Sequence, residues 1–212
     1  MIIRKILLIV FGISWLISCK NETADPVEVC FERDVLPILS NSCAYNDCHN
    51  PDDRAGGIQL TTYNGVLRAV TPNNYRASKL YTSMVTFPVM PPKPYDRLGV
   101  EDLSIIAAWI EQGAKNNSCP PANCDTTNVS LSADVRPILS KYCGGCHMTN
   151  NPQGNVDFRT YDDLRIYVDD GSLTGSINHI SPWSQMPKGS GKIPACSINI
   201  IDAWLHNGAL NN

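Results

Sequence analysis

The segment Cys143-Gly144-Gly145-Cys146-His147 places two cysteines one helical turn apart, with a histidine directly after the second. This spacing is typical of covalent haem attachment: each thiol adds to one vinyl group of the porphyrin, and the imidazole becomes the proximal ligand of the iron. We expect the two glycines to let the backbone pass close to the porphyrin. Zinc is the alternative, because Cys-x-x-Cys is half of many zinc sites, but a closed site needs four ligands and no second pair with that spacing occurs.

The chain repeats itself at long range, because the run DVLPILSNSC at 34–43 returns as DVRPILSKYC at 134–143. Further matches join 56–63 with 154–161, 90–91 with 186–187, and 105–114 with 200–209. A repeat of this extent indicates a duplicated structural unit. We therefore expect two copies of one haem domain, at 29–118 and 119–212.

The first copy carries the motif in a stretched form, Cys43-Ala-Tyr-Asn-Asp-Cys48-His49, with four residues between the cysteines instead of two. The added pair must bulge out of the helical turn. Because the surrounding repeat aligns closely, we expect a second haem site at Cys43, Cys48 and His49. The prediction is thus two covalently bound haem c groups per chain.

Helices are the expected elements of both copies, and the predicted fold class is all-α, with two tandem helical domains and long loops. A first helix is expected over 34–41 and 133–142, where apolar residues recur at helical spacing and a proline stands near the start. A last helix is expected over 100–112 and 197–207, each ended by a glycine. The tryptophan of each last helix is expected in the core.

Met90 and Met186 occupy matching Met-Pro loops in the two copies. A thioether is a common sixth ligand of haem iron, and a proline after it restricts the loop and removes a competing donor. We therefore expect these methionines to close the two irons. In the second copy His179 is the alternative ligand, and bis-histidine ligation would lower the potential. The first copy has no histidine in the corresponding region, which favours a surface role for His179.

The N-terminal segment indicates export. Two basic residues precede the apolar run 6–17, which is short for a membrane span and typical of a secretory signal. Leu-Ile-Ser-Cys at 16–19 resembles a bacterial lipobox, in which the cysteine becomes the lipidated first residue. We expect a signal peptide at 1–18, a lipid on Cys19 and a polar tether at 19–28. An ordinary cleaved signal with an unrelated cysteine is the alternative.

Composition agrees with an exported, soluble chain. Hydrophobic residues make up 43% and charged residues 17%, as in ordinary globular proteins. The formal charge of −3 becomes −5 once the two basic residues of the signal are removed. An acidic chain without a basic stripe is a poor nucleic-acid binder, so no nucleic-acid partner is expected. Nine cysteines suit an oxidising exterior better than a reducing cytosol.

Five motifs follow one another in a fixed order: Val-x-Pro-Ile-Leu, Cys-x(n)-Cys-His, Gly-Gly-x-x-Leu, Met-Pro-Pro and Trp-Ile-x-x-Gly-Ala. This order, over nearly all of 29–212, resembles the planctomycete-type cytochrome c domains. The resemblance implies a cytochrome c-like helical fold, with His49 and His147 as proximal ligands and Met90 and Met186 as distal ones. The chain departs from the pattern in its long first linker and in a Met-Pro-Lys in the second copy. The lipobox resembles those of Bacteroidota-type lipoproteins, which implies the outer membrane.

Lipid and haem leave four cysteines over: Cys30, Cys119, Cys124 and Cys196. An even number in an exported chain predicts two disulfides, and three pairings are open from the sequence. In a cytochrome c-like fold the terminal helices pack together, which favours Cys30 with Cys119 and Cys124 with Cys196. The alternative closes Cys119 on Cys124 and joins Cys30 to Cys196 across the two copies.

Electron transfer is the expected function, since methionine is expected to close both irons and no acid/base constellation accompanies them. The chain would then be no enzyme but a lipid-anchored carrier that exchanges electrons with redox protein partners at the cell envelope, on the periplasmic face or at the outer membrane. A dihaem peroxidase, which needs a displaceable sixth position and proton-transfer groups, is one alternative. A haem-stabilised binding or sensory module of a surface system is the other.

Overall fold

The computed structural model describes residues 27–86, 90–117, 119 and 124–212. These residues are helical and contain no strand, so the predicted all-α class is confirmed. No helix in this part of the chain has the length and apolar character needed to cross a membrane. The predicted signal peptide, Cys19 and the tether up to residue 26 lie outside the described residues. The α-helices are α1 (Leu36–Cys43), α2 (Tyr63–Leu67), α3 (Lys79–Val85), α4 (Val100–Glu111), α5 (Arg136–His147), α6 (Tyr161–Asp169), α7 (Ser172–Ile177) and α8 (Ala195–His206).

The first helix of each half starts with a wider turn than predicted. A π-helical turn runs directly into α1 and into α5, at Phe31–Val35 and Leu131–Val135. In the first half the backbone N–H of Cys30 donates to Asp34 Oδ2 at 2.9 Å. In the second half the N–H of Ser130 donates to Asp134 Oδ2 at 2.8 Å. These aspartates satisfy a free donor at the start of the turn, so each helical run begins earlier than the sequence pattern indicated.

α4 and α8 end as predicted, in a turn through glycine. Gly113 has φ +94° and Gly208 has φ +90°, the left-handed region that favours glycine. One residue later the N–H of Ala114 donates back to the carbonyl of Trp109 at 2.9 Å. Ala209 makes the same bond to Trp204, also at 2.9 Å. Both helices therefore satisfy a terminal carbonyl in the same way.

Each half has its own buried core. The first gathers around Trp109, whose ring centroid lies 5.3 Å from that of Phe31, and the second gathers around Trp204. The indole N–H of Trp109 donates to the carbonyl of Lys115 at 3.0 Å, and that of Trp204 donates to the carbonyl of Leu210 at 2.9 Å. Both large side chains are thus buried without an unpaired donor, and their predicted place in the core is confirmed.

Two disulfides are present, one in each half. Cys30 is joined to Cys119, with Cα atoms 6.0 Å apart, and Cys124 is joined to Cys196, with Cα atoms 5.5 Å apart. Both distances lie in the usual range for a disulfide. This is the pairing that the cytochrome c-like fold favoured, and the alternative Cys119–Cys124 bridge is not formed. Neither disulfide connects the two cores.

Candidate haem sites

α5 carries the second cysteine motif in its last turns. Cys143 and Cys146 are free thiols, and His147, the last residue of the helix, is only 8% exposed. Residues three apart lie on the same side of a helix, so both sulphurs can reach one edge of a porphyrin. The histidine follows at once, within the same turn. This arrangement fits a covalently attached haem.

The first motif is split between a helix and a loop. α1 ends at Cys43, because Ala44 leaves the helical conformation, and four residues separate this thiol from Cys48. The loop is ordered: the N–H of Cys48 donates to the carbonyl of Tyr45 at 3.1 Å, and the N–H of His49 donates to that of Cys43 at 3.1 Å. Both cysteines are free. The stretched linker therefore bulges out as predicted and returns the histidine to the end of α1.

Hydrogen bonds with the side chains of Asn50 and Asp53 hold the backbone of this bulge in place. The side chain of Asn50 donates to the carbonyl of Tyr45 at 2.8 Å and accepts from the N–H of Asp53 at 2.8 Å. The carboxylate of Asp53 accepts from the N–H of Asp47 at 2.7 Å, where the backbone turns through φ +63°. Because several hydrogen bonds hold the strained residue Asp47, the conformation of this loop is a fixed feature of the fold.

The two motif histidines make the same hydrogen bond. Nδ1 of His49 lies 3.1 Å from the carbonyl oxygen of Ile58, and Nδ1 of His147 lies 3.1 Å from that of Val156. A carbonyl only accepts, so Nδ1 carries the hydrogen and Nε2 keeps its lone pair. A metal-binding histidine is normally oriented in this way, through its second nitrogen. We call this repeated bond the imidazole clamp.

A second hydrogen bond supports each imidazole clamp from the backbone. The N–H of Leu60 donates to the carbonyl of His49 at 2.9 Å, and the N–H of Phe158 donates to that of His147 at 2.8 Å. The loop after each motif is therefore fastened to the histidine at its side chain and at its main chain. The sequence analysis missed these partners, although Ile58 and Val156 stand at matching places of the repeat.

Burial keeps the motif thiols protonated. It raises the pKa of Cys43 to about 12 and that of Cys143 to about 12, and in each case the neighbouring motif thiol raises the pKa further. The pKa values of Cys48 and Cys146 are also raised, mainly by burial. A thiol of such high pKa is a weak nucleophile, so these pairs are poorly suited to thiol–disulfide catalysis.

The two methionine loops are anchored on short helices that the sequence analysis did not predict, α3 and α7. The N–H of Met90 donates to the carbonyl of Ser83 at 2.8 Å, and that of Met186 donates to the carbonyl of Ser176 at 3.1 Å. A repeated Leu-x-x-Ser, at 80–83 and 173–176, was the available signal for these helices. The two loops thus leave the fold in the same way. Iron ligation by the methionines stays a prediction.

His179, the alternative to Met186 as sixth ligand, is hydrogen-bonded to the Met186 loop. Its Nε2 lies 3.0 Å from the carbonyl oxygen of Met186, and the carbonyl can only accept, so Nε2 carries the hydrogen. That nitrogen therefore has no lone pair free for a metal in this arrangement. The contact makes His179 a positioning residue of the Met186 loop.

The lysine that follows Met-Pro in the second copy, Lys188, forms an ion pair with a residue of the first half. Lys188 Nζ lies 2.7 Å from Asp52 Oδ2 of the first half. The next residue, Gly189, accepts a hydrogen bond from Thr61 Oγ1 at 3.2 Å and packs on the ring of Pro51. The loop that carries Met186 therefore rests on the segment that follows the first haem motif.

These observations define an all-α protein with two cysteine–cysteine–histidine motifs whose histidines share the imidazole clamp. Residues 46–94, which include Cys48, His49 and Met90, match the model of the family described as Planctomycete cytochrome C. The match supports a c-type cytochrome-like domain in this part of the chain and indicates a cytochrome c-type haem protein. No curated protein and no solved structure matches the chain. The described residues hold no group of three or more His, Cys, Asp or Glu that could bind a metal ion.

Proposed function

We propose that the chain is a dihaem c-type cytochrome that transfers electrons between redox proteins at the cell envelope. The observation that carries the proposal is the imidazole clamp, which recurs at His49 and His147 with the same atom and the same distance. A clamp on Nδ1 leaves Nε2 of each ring for iron. The family match supports the cofactor at the first motif. The internal repeat extends the proposal to the second.

The chain's own residues divide the work of holding the cofactor. Two thiols would attach each haem, the clamped imidazole would bind its iron through Nε2, and Met90 or Met186 would supply the sixth ligand. When bound, haem c supplies a one-electron iron couple, and histidine–methionine ligation raises its potential. Covalent attachment through two thiols per haem, four in all, would prevent loss of the cofactors during repeated encounters with partners.

The haem content tests the proposal. Protein made with a haem-maturation system is expected to carry two covalent haems by intact mass. Replacing Cys143 and Cys146 by alanine should remove one haem, and replacing Cys43 and Cys48 should remove the other. A single haem in the wild-type protein, retained after Cys43 and Cys48 are replaced, would exclude the first site. Bound zinc without haem would overturn the whole proposal.

Spectral response to peroxide separates a carrier from a peroxidase. A carrier with both irons closed should show little change when peroxide or cyanide is added at neutral pH. A peroxidase should show rapid loss of one iron's spectrum and turnover of an electron donor. The second result would replace the electron carrier by the dihaem peroxidase.

We also propose that a lipid on Cys19 anchors the protein, because a polar segment separates Cys19 from the described fold. Cys19→Ser should move the protein from the membrane fraction to the soluble fraction, since an unlipidated chain would have only a short apolar run to hold it. Membrane fractionation with mass analysis of the N-terminus checks this. A processed Cys19→Ser protein that stays on the membrane would contradict the anchor.

A further inference from the structure

α1 and α5 cross where each bears a cysteine motif. The side chain of Asn41, in α1, donates to the carbonyl of Lys141 at 2.6 Å and accepts from the N–H of Gly145 at 3.1 Å. Lys141 and Gly145 are four residues apart, which is the spacing of one α-helical hydrogen bond. The side-chain amide of Asn41 therefore contacts both the acceptor and the donor of one such pair in α5. Gly145 stands between the two thiols of the second motif, and Asn41 stands two residues before the first thiol of the other.

The crossing leaves no room for a side chain at Gly145. A Cβ there would lie 2.6 Å from the carbonyl carbon of Asn41, and closer still to its Cα and carbonyl oxygen. These are backbone atoms of a packed helix, which cannot turn aside as the end of a flexible side chain can. The close approach of α1 therefore requires glycine at position 145. This contact was not predicted from the motif.

An aromatic contact holds the stretched linker within the first half. Tyr45, within the linker, stacks on Tyr95 with ring centroids 4.4 Å apart and planes 13° apart. Burial raises the pKa of Tyr45 to about 12, and the nearby thiols of Cys146 and Cys43 raise it further.

The attachment points must be close to one another. Consecutive Cα atoms are about 3.8 Å apart, and the path from Cys43 to Cys146 runs through two residues of α1, the crossing and one residue of α5. The Cα atoms of Cys43 and Cys146 are therefore within about 15 Å of each other. Each thiol would bear the edge of a porphyrin, so the chain itself sets the two cofactors side by side.

We propose that the α1–α5 crossing, built from Asn41 and Gly145, joins the two haem sites into one redox unit with an internal electron path. The inference rests on the proposed dihaem function. One electron lost at one site is gained at the other, and no bond or proton need change. An electron can then enter the chain at one half and leave from the other.

Excitonic coupling of the two cofactors tests the proposal independently of activity. Two haems held close together give a two-signed circular dichroism couplet in the Soret region, and its amplitude falls steeply with their separation. The full-length protein with two haems should show this couplet. Gly145→Ala should lose it, because the new methyl group forces α1 away from α5. Gly99→Ala, outside both motifs, is the control, since its Cβ would meet no atom within 4 Å.

Haem count by mass accompanies each spectrum, so the possible failures are distinguishable. Wild-type protein with two haems and no couplet overturns the electron path while the dihaem carrier stands. Protein without two haems defeats the proposed function itself. A couplet that is equal in Gly145→Ala and Gly99→Ala shows that the crossing does not set the spacing, and it overturns the proposal.

A second variant covers the case in which Gly145→Ala does not fold. Asn41→Ala leaves every backbone atom in place but removes the amide that bridges Lys141 and Gly145. We expect it to keep both haems and to lose part of the couplet. Ser42→Ala, the next residue of α1, is the control and should keep the full amplitude. An undiminished couplet in Asn41→Ala also counts against the proposed path.

Discussion

His147 and His179 bind main-chain carbonyls through different nitrogens. His147 uses Nδ1 and keeps Nε2 for a metal, whereas His179 donates through Nε2 to the carbonyl of Met186. The same residue type therefore keeps Nε2 free at one position and uses Nε2 to support a loop at the other. The sequence contains both histidines, but only their hydrogen bonds distinguish the two roles. At the scale of the residue, this contrast favours Met186 as the sixth ligand of the second site.

Replacing Met186 by alanine tests this assignment. We expect loss of one of the two sulphur-to-iron charge-transfer bands and a lower potential at one haem, because a thioether stabilises the ferrous state. Absorption spectra and a potentiometric titration measure both effects. Met148→Leu, which changes another methionine of the second core, should leave them unchanged. Loss of the band in His179→Ala but not in Met186→Ala would transfer the role to the histidine.

At the scale of the element, the long helices α4 and α8 were predictable and the short helices α3 and α7 were not. α4 and α8 each present a periodic apolar stripe and a terminal glycine over twelve residues, which is enough for a pattern to emerge. α3 and α7 have only seven and six residues, and tertiary packing of Leu80 and Leu173 holds them in place.

The imidazole clamps show a second limit of prediction from the sequence. The motifs themselves predicted the cysteines and histidines, because covalent chemistry fixes their spacing in the chain. The partners at Ile58 and Val156 act through main-chain carbonyls, to which no side-chain type corresponds. The contacts between the halves, such as Asn41 with Gly145, join residues about a hundred positions apart and carry no local signal.

The start of the first helical run gives a prediction about stability and pH. Burial raises the pKa of Asp34, but hydrogen bonds from Arg33 and from the N–H of Cys30 outweigh it, so the pKa lies below its usual value. The carboxylate therefore stabilises the fold above its unfolded pKa of about 3.9, and this contribution is lost as the pH falls through the depressed folded value. Asp34→Asn should lower the free energy of unfolding at pH 7 by about 1 kcal/mol.

Urea unfolding at several pH values measures this effect. Asp34→Asn should flatten the loss of stability below pH 4, because the side chain no longer titrates. Glu32→Gln removes a charge from the same turn at an exposed position and is the control. An acid limb of equal slope in Asp34→Asn and wild type would show that the carboxylate does not act as described.

At the scale of the whole molecule, non-covalent contacts join the halves, since each disulfide lies within one of them. One contact is the crossing of α1 and α5, and another is the Met186 loop on the segment after the first motif. In the loop contact, the ion pair of Lys188 with Asp52 is exposed on both sides, so it contributes no more than about 1 kcal/mol. The tighter part is Gly189 against Pro51, and it links the Met186 loop of one half to the segment after the first cysteine motif of the other.

Gly189→Ala tests whether this contact positions the loop. The residue has φ +70°, a conformation that costs a non-glycine residue about 1 kcal/mol or more, and its Cβ would collide with the ring of Pro51. We expect the loop to leave the first half, which would weaken the sulphur-to-iron band of the second site and lower its potential. Gly191→Ala is the matched control, because its Cβ would meet no atom within 4 Å. Lys188→Ala should have only a small effect. If Gly189→Ala and Gly191→Ala give the same spectrum and the same potential, the first half does not position the sixth ligand of the second.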